Sequence, residues 1–364
     1  MKSTINPSIA DTGAVVGMSG GVDSSAAARI LLESGCHVVG ATIRFGSSMD
    51  PDDRARRRID DESVENARDI CRKLSIRHHV IDAGDRFEYT VIGGFISEYA
   101  RGRTPNPCIV CNEKIKFPLL AGLADELGLE RIATGHFARV VSLRGGRVFL
   151  ASGADSNKDQ SYFLYRVPVR LLRRCIFPLG GMNRDDVVSA AAGLGHGGGW
   201  RRGSQDACFV CDGDIKTFLT KRMGRCPGSI VDSDGSVLGT HEGIFSYTIG
   251  QRRGLGVSGT DPLYVKSIDA EMNTVVLAGE DEIRTRVVVC GRNKLRARSL
   301  GGGLSAKVRY RHGPEEVLRA ERNGGYLRVV FKKPQRAVTP GQSLVLYRDG
   351  VVMGGGIIER TGET

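Results

Sequence analysis

Gly13-Ala14-Val15-Val16-Gly17-Met18-Ser19-Gly20-Gly21-Val22-Asp23-Ser24-Ser25 decides how the first half of this chain is read. The apolar run Gly13–Met18 has the length and continuity of a strand buried on both faces. It breaks at a glycine turn, and a helical pattern follows from about Asp23 to Glu33. Glycines at 20 and 21 let the backbone turn sharply and approach a ligand closely. The helix behind them points unpaired N–H groups and its positive dipole end at the turn. With hydroxyls from Ser19, Ser24 and Ser25, this is an anion cradle suited to pyrophosphate. It is neither the GxxxxGK[ST] loop nor the GxGxxG dinucleotide fingerprint.

Outward from this turn the pattern repeats. Val38–Phe45, Arg77–Asp82 and Arg131–Thr134 read as further strands; residues 60–74, Phe87–Arg101 and Ile115–Leu127 read as helices. Strands alternating with helices imply crossover connections and a doubly wound parallel sheet, an α/β fold. After about residue 215 short strands dominate: Ile230-Val231, Tyr264–Ile268, Thr274–Leu277, Val287–Cys290, Ala306–Tyr310, Tyr326–Phe331 and Ser343–Tyr347. Their turn-punctuated spacing suggests small all-β domains of barrel type. The expected division is a catalytic α/β domain at 1–215, a small mainly-β middle domain at 216–283 and a C-terminal β-barrel at 284–364, jointed near Asp281–Arg286. A length of 364 residues suits two or three domains at roughly 100–200 residues each.

The net charge of +11 suits a polyanionic partner, since each cation that neutralises a phosphate releases a counterion. Lys294, Arg296, Arg298, Lys307, Arg309 and Arg311 concentrate that charge in the last third, where strand alternation would gather them on one barrel face. The run Arg54–Arg58, flanked by Asp52, Asp53, Asp60 and Asp61, reads instead as a solvated, self-neutralising loop. The first dozen residues lack the apolar core of a secretory signal, so a cytoplasmic location without membrane association is expected. Nine cysteines, an odd number, argue against a structural disulfide framework.

Two CxxC pairs stand out: Cys108 and Cys111 in TPNPCIVCN (Thr104–Asn112), and Cys208 and Cys211 in SQDACFVC (Ser204–Cys211). Lys114 and Lys116 follow the first, and Arg201 and Arg202 precede the second, so cations and a helix start would lower the thiol pKa values. The pairs are open to three readings: a four-thiolate zinc site, an iron–sulfur cluster, or one catalytic cysteine from each pair. A separation of almost a hundred residues is long for a zinc ribbon.

The nonapeptide Gly17–Ser25 resembles the PP-loop, SGGxDS, of the ATP pyrophosphatase superfamily. RTPNPCxxCN, SQDxCF, Asp155–Leu164 (DSNKDQSYFL), Thr248–Gly256 (TIGQRRGLG), Thr339–Ser343 (TPGQS) and Gly354–Glu359 (GGGIIE) together resemble the tRNA-specific 2-thiouridylase family, in order from Gly17 to Glu359. The resemblance implies ATP-dependent 2-thiolation of the wobble uridine, position 34, of glutamate, glutamine and lysine tRNAs, with Mg²⁺ beside ATP. It implies that Gly17, Met18, Ser19, Gly20, Gly21, Val22, Asp23, Ser24 and Ser25 hold ATP with Ile43 and Gly135. Cys111 would be the nucleophile, Cys208 the persulfide carrier, and Asp23 a third catalytic group. Asn106, Pro107, Cys108, Lys158, Asp159 and Gln160 would approach the base, while Arg309 and Tyr310 would contact tRNA. His136 is read either as lining the site or as holding its own turn. Sulfur would come from a sulfur carrier protein or a cysteine desulfurase. Because Cys211 lies outside the family pattern and Cys108 is a variable position, a [4Fe–4S] cluster on Cys108, Cys111 and Cys208, with or without Cys211, is the second expectation. Two rivals are a PP-loop amide ligase that adenylates a small acid and a zinc-dependent RNA-binding protein.

Overall fold

The structure is a computed structural model that describes residues 12–46, 54–143, 145–195, 207–210, 214–257, 261–297 and 300–362. Cys211, Ser204–Asp206, Arg201, Arg202 and Arg298 lie outside the described residues.

The chain begins with β1 (Gly13–Gly17), α1 (Val22–Glu33), β2 (His37–Arg44), α2 (Arg54–Lys73) and β3 (Arg77–Asp82). A helical stretch follows: α3 (Gly84–Phe87), a π-helical turn at Glu88–Ile92, and α4 (Gly93–Ala100). Next come α5 (Pro107–Cys111), a second π-helical turn at Asn112–Lys116, α6 (Phe117–Glu126), β4 (Arg131–Thr134) and the hairpin β5 (Ala138–Leu143) and β6 (Arg147–Ser152). After α7 (Ser161–Leu164), α8 (Val169–Leu172), β7 (Cys175–Ile176), α9 (Arg184–Ala190) and α10 (Ile215–Met223) the described chain is almost entirely strand. Those strands are β8 (Gly228–Val231), β9 (Val237–His241), β10 (Tyr264–Asp269), β11 (Thr274–Ala278), β12 (Arg284–Leu295), β13 (Leu304–Lys307), β14 (Glu315–Asn323), β15 (Tyr326–Arg336), β16 (Ser343–Arg348) and β17 (Val351–Thr361). Among the described residues no helix is long and apolar enough to cross a membrane.

The chain divides into two compact units: residues 1–91, 108–211 and 349–352, and residues 92–107, 212–348 and 353–364. In the first, the strands form a five-stranded sheet in the order β3-β2-β1-β4-β7, every pairing of which is parallel. Ala14, Val15 and Val16 are fully buried, which is why β1 reads as a continuous apolar run without alternation. Helix α1 is rich in alanine, and its small side chains at Ala26, Ala27 and Ala28 allow close packing on the sheet. Ala28 and Leu31 join Val16, Met18 and Val38 in one core, while Val22, Ala26 and Ala27 pack with Phe137, Leu179 and Val187 in another.

The second unit holds a four-stranded sheet, β10-β11-β8-β9, packed around Ile230, Val265, Val275 and Leu277. It also holds six strands in the order β12-β15-β14-β13-β16-β17, which the β12–β17 pairing closes into a barrel. Closure removes the unpaired edges that an open sheet would present.

Two readings from sequence need correcting. Arg54–Arg58 is the first turn of α2, not a loop; Arg56 is 3% exposed and ion-paired to Glu88 at 3.2 Å. Its guanidinium reaches a carboxylate distant in sequence, a partner that counting neighbouring charges cannot reveal. The expected strand at Ala306–Tyr310 ends at Lys307, so Arg309, Tyr310 and Arg311 fall outside the strand alternation. The stretch read as helical at Phe87–Arg101 is helical through Ala100, with a π-helical turn at Glu88–Ile92.

Candidate active site

Because the sheet is parallel, the turns after β1, β2 and β4 emerge at one edge. Chain order runs outward from β1 to β2 and β3, then jumps to β4 on the other side of β1. The crevice at such a reversal is where open α/β sheets bind ligands.

The turn after β1 is built by its own serines. Ser24 Oγ accepts the Ser19 N–H (3.2 Å) and donates to the Gly21 carbonyl (3.0 Å), while Ser25 Oγ donates to that carbonyl at 2.8 Å. Gly20 has φ +72°, and a Cβ there would lie 2.9 Å from the Ser63 carbonyl oxygen of α2. No side chain caps α1 at Gly21, and the N–H groups of Gly20–Ser24 find no acceptor among the described residues. Unfilled N–H groups at the positive end of a 12-residue helix favour an anion. Met18 and Val22 turn their side chains into the core, leaving only main chain for a ligand.

Gly135 follows β4 and lies against this loop: a Cβ there would meet the Asp23 carbonyl carbon at 2.6 Å and the Ser24 nitrogen at 2.9 Å. Ile43, half-buried near the end of β2, pairs with Ile81. The Asp23 carboxylate is ion-paired to Arg184, the first residue of α9. Nothing in the sequence near Asp23 signals that arginine, since the two are 161 residues apart.

The cysteine segments converge within the same unit. Cys111 ends α5, and the next residue, Asn112, donates from its side chain to the Phe163 carbonyl (3.2 Å). Glu113 forms a buried ion pair with Arg166 at 2.6 Å. Phe209, beside Cys208, packs edge-on to Phe87, which contacts Phe45 at a centroid distance of 4.6 Å. Cys111 is buried, whereas Cys108 and Cys208 are exposed residues.

The expectation of acidified thiols is overturned. Burial pushes Cys111 up to about 11 and Cys208 up to about 12, and raises Cys108 as well. Lys116 pulls all three down, but desolvation outweighs it. Cys111 and Cys108 also raise Cys208 by charge repulsion, so sulfurs about a hundred residues apart in sequence sit within electrostatic range. Lys116 is therefore the common cation of the thiol centre. Burial, followed by Lys116, also holds His136 well below its usual range, and its Nδ1 lies 2.8 Å from Thr134 Oγ1. Of the two readings for His136, this geometry fits the turn-holding one. Asp60 completes the group: it accepts the Phe45 N–H at 2.7 Å, burial raises its carboxyl, and its charge reaches Cys208.

Among the described residues, no three Cys, His, Asp or Glu side chains lie close enough together to hold a metal ion. Cys211, the fourth thiol of the zinc reading, lies outside the described residues.

The Lys158–Gln160 loop returns to the turn after β4. The Gln160 side-chain oxygen accepts the Phe137 N–H (3.0 Å), and the Gln160 N–H donates to the Phe137 carbonyl (2.8 Å). Asp159 is buried and accepts from Gly153 N, Ser161 N and Ser161 Oγ, so it holds the loop, whereas Lys158 is exposed.

In the other unit, the segment leading to Asn106 and Pro107 is held by the barrel. Arg103 is ion-paired to Glu98 (2.7 Å) and Glu359; the Thr104 N–H donates to the Pro340 carbonyl (2.9 Å), and Gln342 donates to the Thr104 carbonyl (2.9 Å). These contacts give the TPGQ and GGGIIE motifs a structural role. Arg309 donates to the Arg336 and Ala337 carbonyls, which ties its guanidinium to the barrel backbone.

A Ser-Gly-Gly turn at the switch point of a parallel sheet, with paired cysteines in the same unit, defines a PP-loop nucleotide-binding protein equipped for sulfur chemistry. The description "tRNA methyl transferase HUP domain" matches residues 12–212, "tRNA methyl transferase PRC-barrel domain" residues 216–279, and "Aminomethyltransferase beta-barrel domain" residues 289–358. The chain is 40% identical to the tRNA-specific 2-thiouridylase MnmA of Dehalococcoides mccartyi, over 96% of this chain and 97% of that one. It is also 40% identical to the protein of that name from Acetivibrio thermocellus (95% and 98% covered), and 41% identical to that of Picosynechococcus sp. (94% and 97% covered). The chain belongs to the tRNA-specific 2-thiouridylase family.

Proposed function

We propose that this protein is an ATP-dependent tRNA uridine 2-sulfurtransferase acting at the wobble position. The observation that carries the reading is the meeting, in one unit, of an uncapped PP-loop helix with thiols from two distant segments. An amide ligase that adenylates a small acid has no use for such a thiol centre.

ATP lies with its phosphates on the N–H groups of Gly20–Ser24 and its adenine near Ile43, with Gly135 allowing close approach. Mg²⁺, when bound, would offset the charge of the phosphates, and Asp23 is the carboxylate on the loop that would hold it. Uridine O2 attacks the α-phosphorus and pyrophosphate leaves, so that a poor leaving oxygen becomes part of AMP. Cys208 carries a persulfide supplied by a sulfur carrier protein or a desulfurase. Its terminal sulfur attacks C2 and AMP departs with O2. The Cys111 thiolate then attacks the Cys208 sulfur, breaking the S–S bond to the new thiocarbonyl and leaving a Cys111–Cys208 disulfide for an external thiol to reduce. In the variant order, Cys111 attacks first and the freed sulfide adds to C2. Burial keeps Cys111 protonated until it is needed, and Lys116 is the cation placed to stabilise its thiolate. Asn106, Pro107, Cys108 and the Lys158–Gln160 loop receive the base, which flips out of its stack to reach them. Arg309 and Tyr310 contact tRNA. Glutamate, glutamine and lysine tRNAs are the proposed substrates. The matched extents support domains at 1–215, 216–283 and 284–364.

The test is thiolation of unmodified glutamate tRNA with ATP–Mg²⁺ and a desulfurase system, read by nucleoside mass spectrometry. Wild type should form 2-thiouridine and AMP, while Cys111→Ser should form none. Absence of any thiolated base from wild type, aerobically and anaerobically, overturns the proposal.

A further inference from the structure

The TIGQRRGLG stretch has no part in the site described above, yet its backbone is tightly specified. Gly250 has φ +84°, and a Cβ there would lie 2.3 Å from the Ala337 Cβ. Gln251 locks the turn: its side chain accepts the Thr248 N–H (3.1 Å) and donates to the Arg253 carbonyl (2.9 Å), and its carbonyl accepts the Val265 N–H (3.0 Å). Gly254 and Gly256 take φ +69° and +74°, and between them Leu255 is buried in the core of the four-stranded sheet. The loop is thus anchored at its root and at its middle.

What it presents outward is unsatisfied. Among the described residues, no main-chain N–H from Arg252 to Val257 donates to a protein acceptor. Among the described residues, the exposed Arg252 and Arg253 make no ion pair or hydrogen bond through their guanidinium groups, whereas Arg225, Lys266 and Arg284 of the same unit all have carboxylate partners. Beside them is a depression of about 250 Å³, lined by Arg252, the two glycines, Val257 and Leu263; Asp261 also lines it without pairing either arginine. Two adjacent cations and a run of N–H groups without protein acceptors on a fixed backbone suit an anion. Tertiary contacts keep the loop in this form although, among the described residues, the Arg252–Val257 N–H groups find no acceptor in the protein.

We propose that Gln251–Val257 is a phosphate-binding loop that grips the sugar–phosphate backbone of tRNA, apart from the base-receiving and barrel contacts. The inference rests on the proposed tRNA substrate. Two exposed arginines suit a phosphodiester chain, whose binding is salt-dependent and independent of sequence.

The experiment measures the dissociation constant of full-length protein for unmodified glutamate tRNA between 50 and 200 mM KCl. Wild type, R252Q/R253Q, R252K/R253K and the paired-arginine control Arg225→Gln are compared. The double glutamine variant should bind about tenfold more weakly at the upper end, and the slope of log affinity against log salt should fall by about 1.4–1.8, two phosphate contacts' worth. The lysine variant should keep most of the slope, and Arg225→Gln should behave as wild type. An unchanged affinity and slope in R252Q/R253Q overturns the inference, as does a loss of inorganic pyrophosphate binding with tRNA binding intact. Thiolation by wild type is scored in parallel. If it fails while the salt slope responds, the assigned activity is wrong but the loop stands; if it succeeds while the slope is indifferent, only the loop assignment falls.

Discussion

Replacing Gly135 by alanine tests the placement of the nucleotide. The new Cβ would lie 2.6 and 2.7 Å from the Asp23 carbonyl carbon and oxygen, and 2.9 Å from the Ser24 nitrogen. Ordinary contact between such atoms begins near 3.4–3.5 Å, so one backbone must retreat by about 0.7 Å. Both sides are main chain, and no side chain can rotate away. Overpacking of this kind costs about 1–3 kcal/mol, which in a domain of this size lowers Tm by roughly 3–9 °C. The peptide displaced is the first turn of α1, whose N–H groups are the proposed phosphate ligands. Losing one charge-assisted hydrogen bond there costs about 1.5–3 kcal/mol, or roughly a 10- to 150-fold weaker Kd for ATP. Gly122→Ala is the matched control, since it sits in α6 with nothing within 4 Å of its would-be Cβ. It should stabilise by about 0.5–1 kcal/mol and leave ATP affinity alone. Calorimetric melting and ATP titration read both effects. A Gly135→Ala protein that melts and binds ATP like wild type would refute the reasoning.

Three further outcomes follow from the site. With Cys111 pushed up to about 11, its alkylation rate should climb tenfold per pH unit past pH 9 and level only near 11, whereas free cysteine levels near 8.5; a plateau below pH 9 rejects the burial argument. Glu113→Gln leaves the Arg166 guanidinium buried opposite a neutral group and should cost about 3 kcal/mol or more in urea unfolding; a loss under 1 kcal/mol would show that water reaches the pair. Arg184→Gln breaks a partly exposed ion pair, so stability should move by less than about 1 kcal/mol while the KM for ATP rises; the reverse pattern would make Arg184 a structural residue only.

The parallel sheet was legible because its signals are local. An apolar run long enough to be buried on both faces, a glycine turn and an alanine-rich helix lie side by side from Gly13 to Glu33, and β3 and β4 have the bounds read from sequence. The PP-loop was legible for the same reason, since the serines that shape it lie within seven residues of one another (Ser19–Ser25). The later strands were recognised piecemeal. β9 of the four-stranded sheet and β14 and β17 of the barrel were missed, and the three consecutive glycines of β17 weaken its strand signal.

From the sequence alone came the fold class, the anion cradle and the presence of two cysteine loops, because each is written in contiguous residues. Tertiary structure decided the state of the thiols, since their pKa values depend on how much protein surrounds each sulfur, and burial there outweighs the lysine that sequence placed beside them. It decided that Arg56 is buried against Glu88 and that Arg184 meets Asp23. Among the described residues it also left Arg252 and Arg253 without partners while supplying them to Arg225 and Arg284. Charge, exposure and pairing arise from what the folded chain brings together in space, and a linear pattern carries residue types but not their distances.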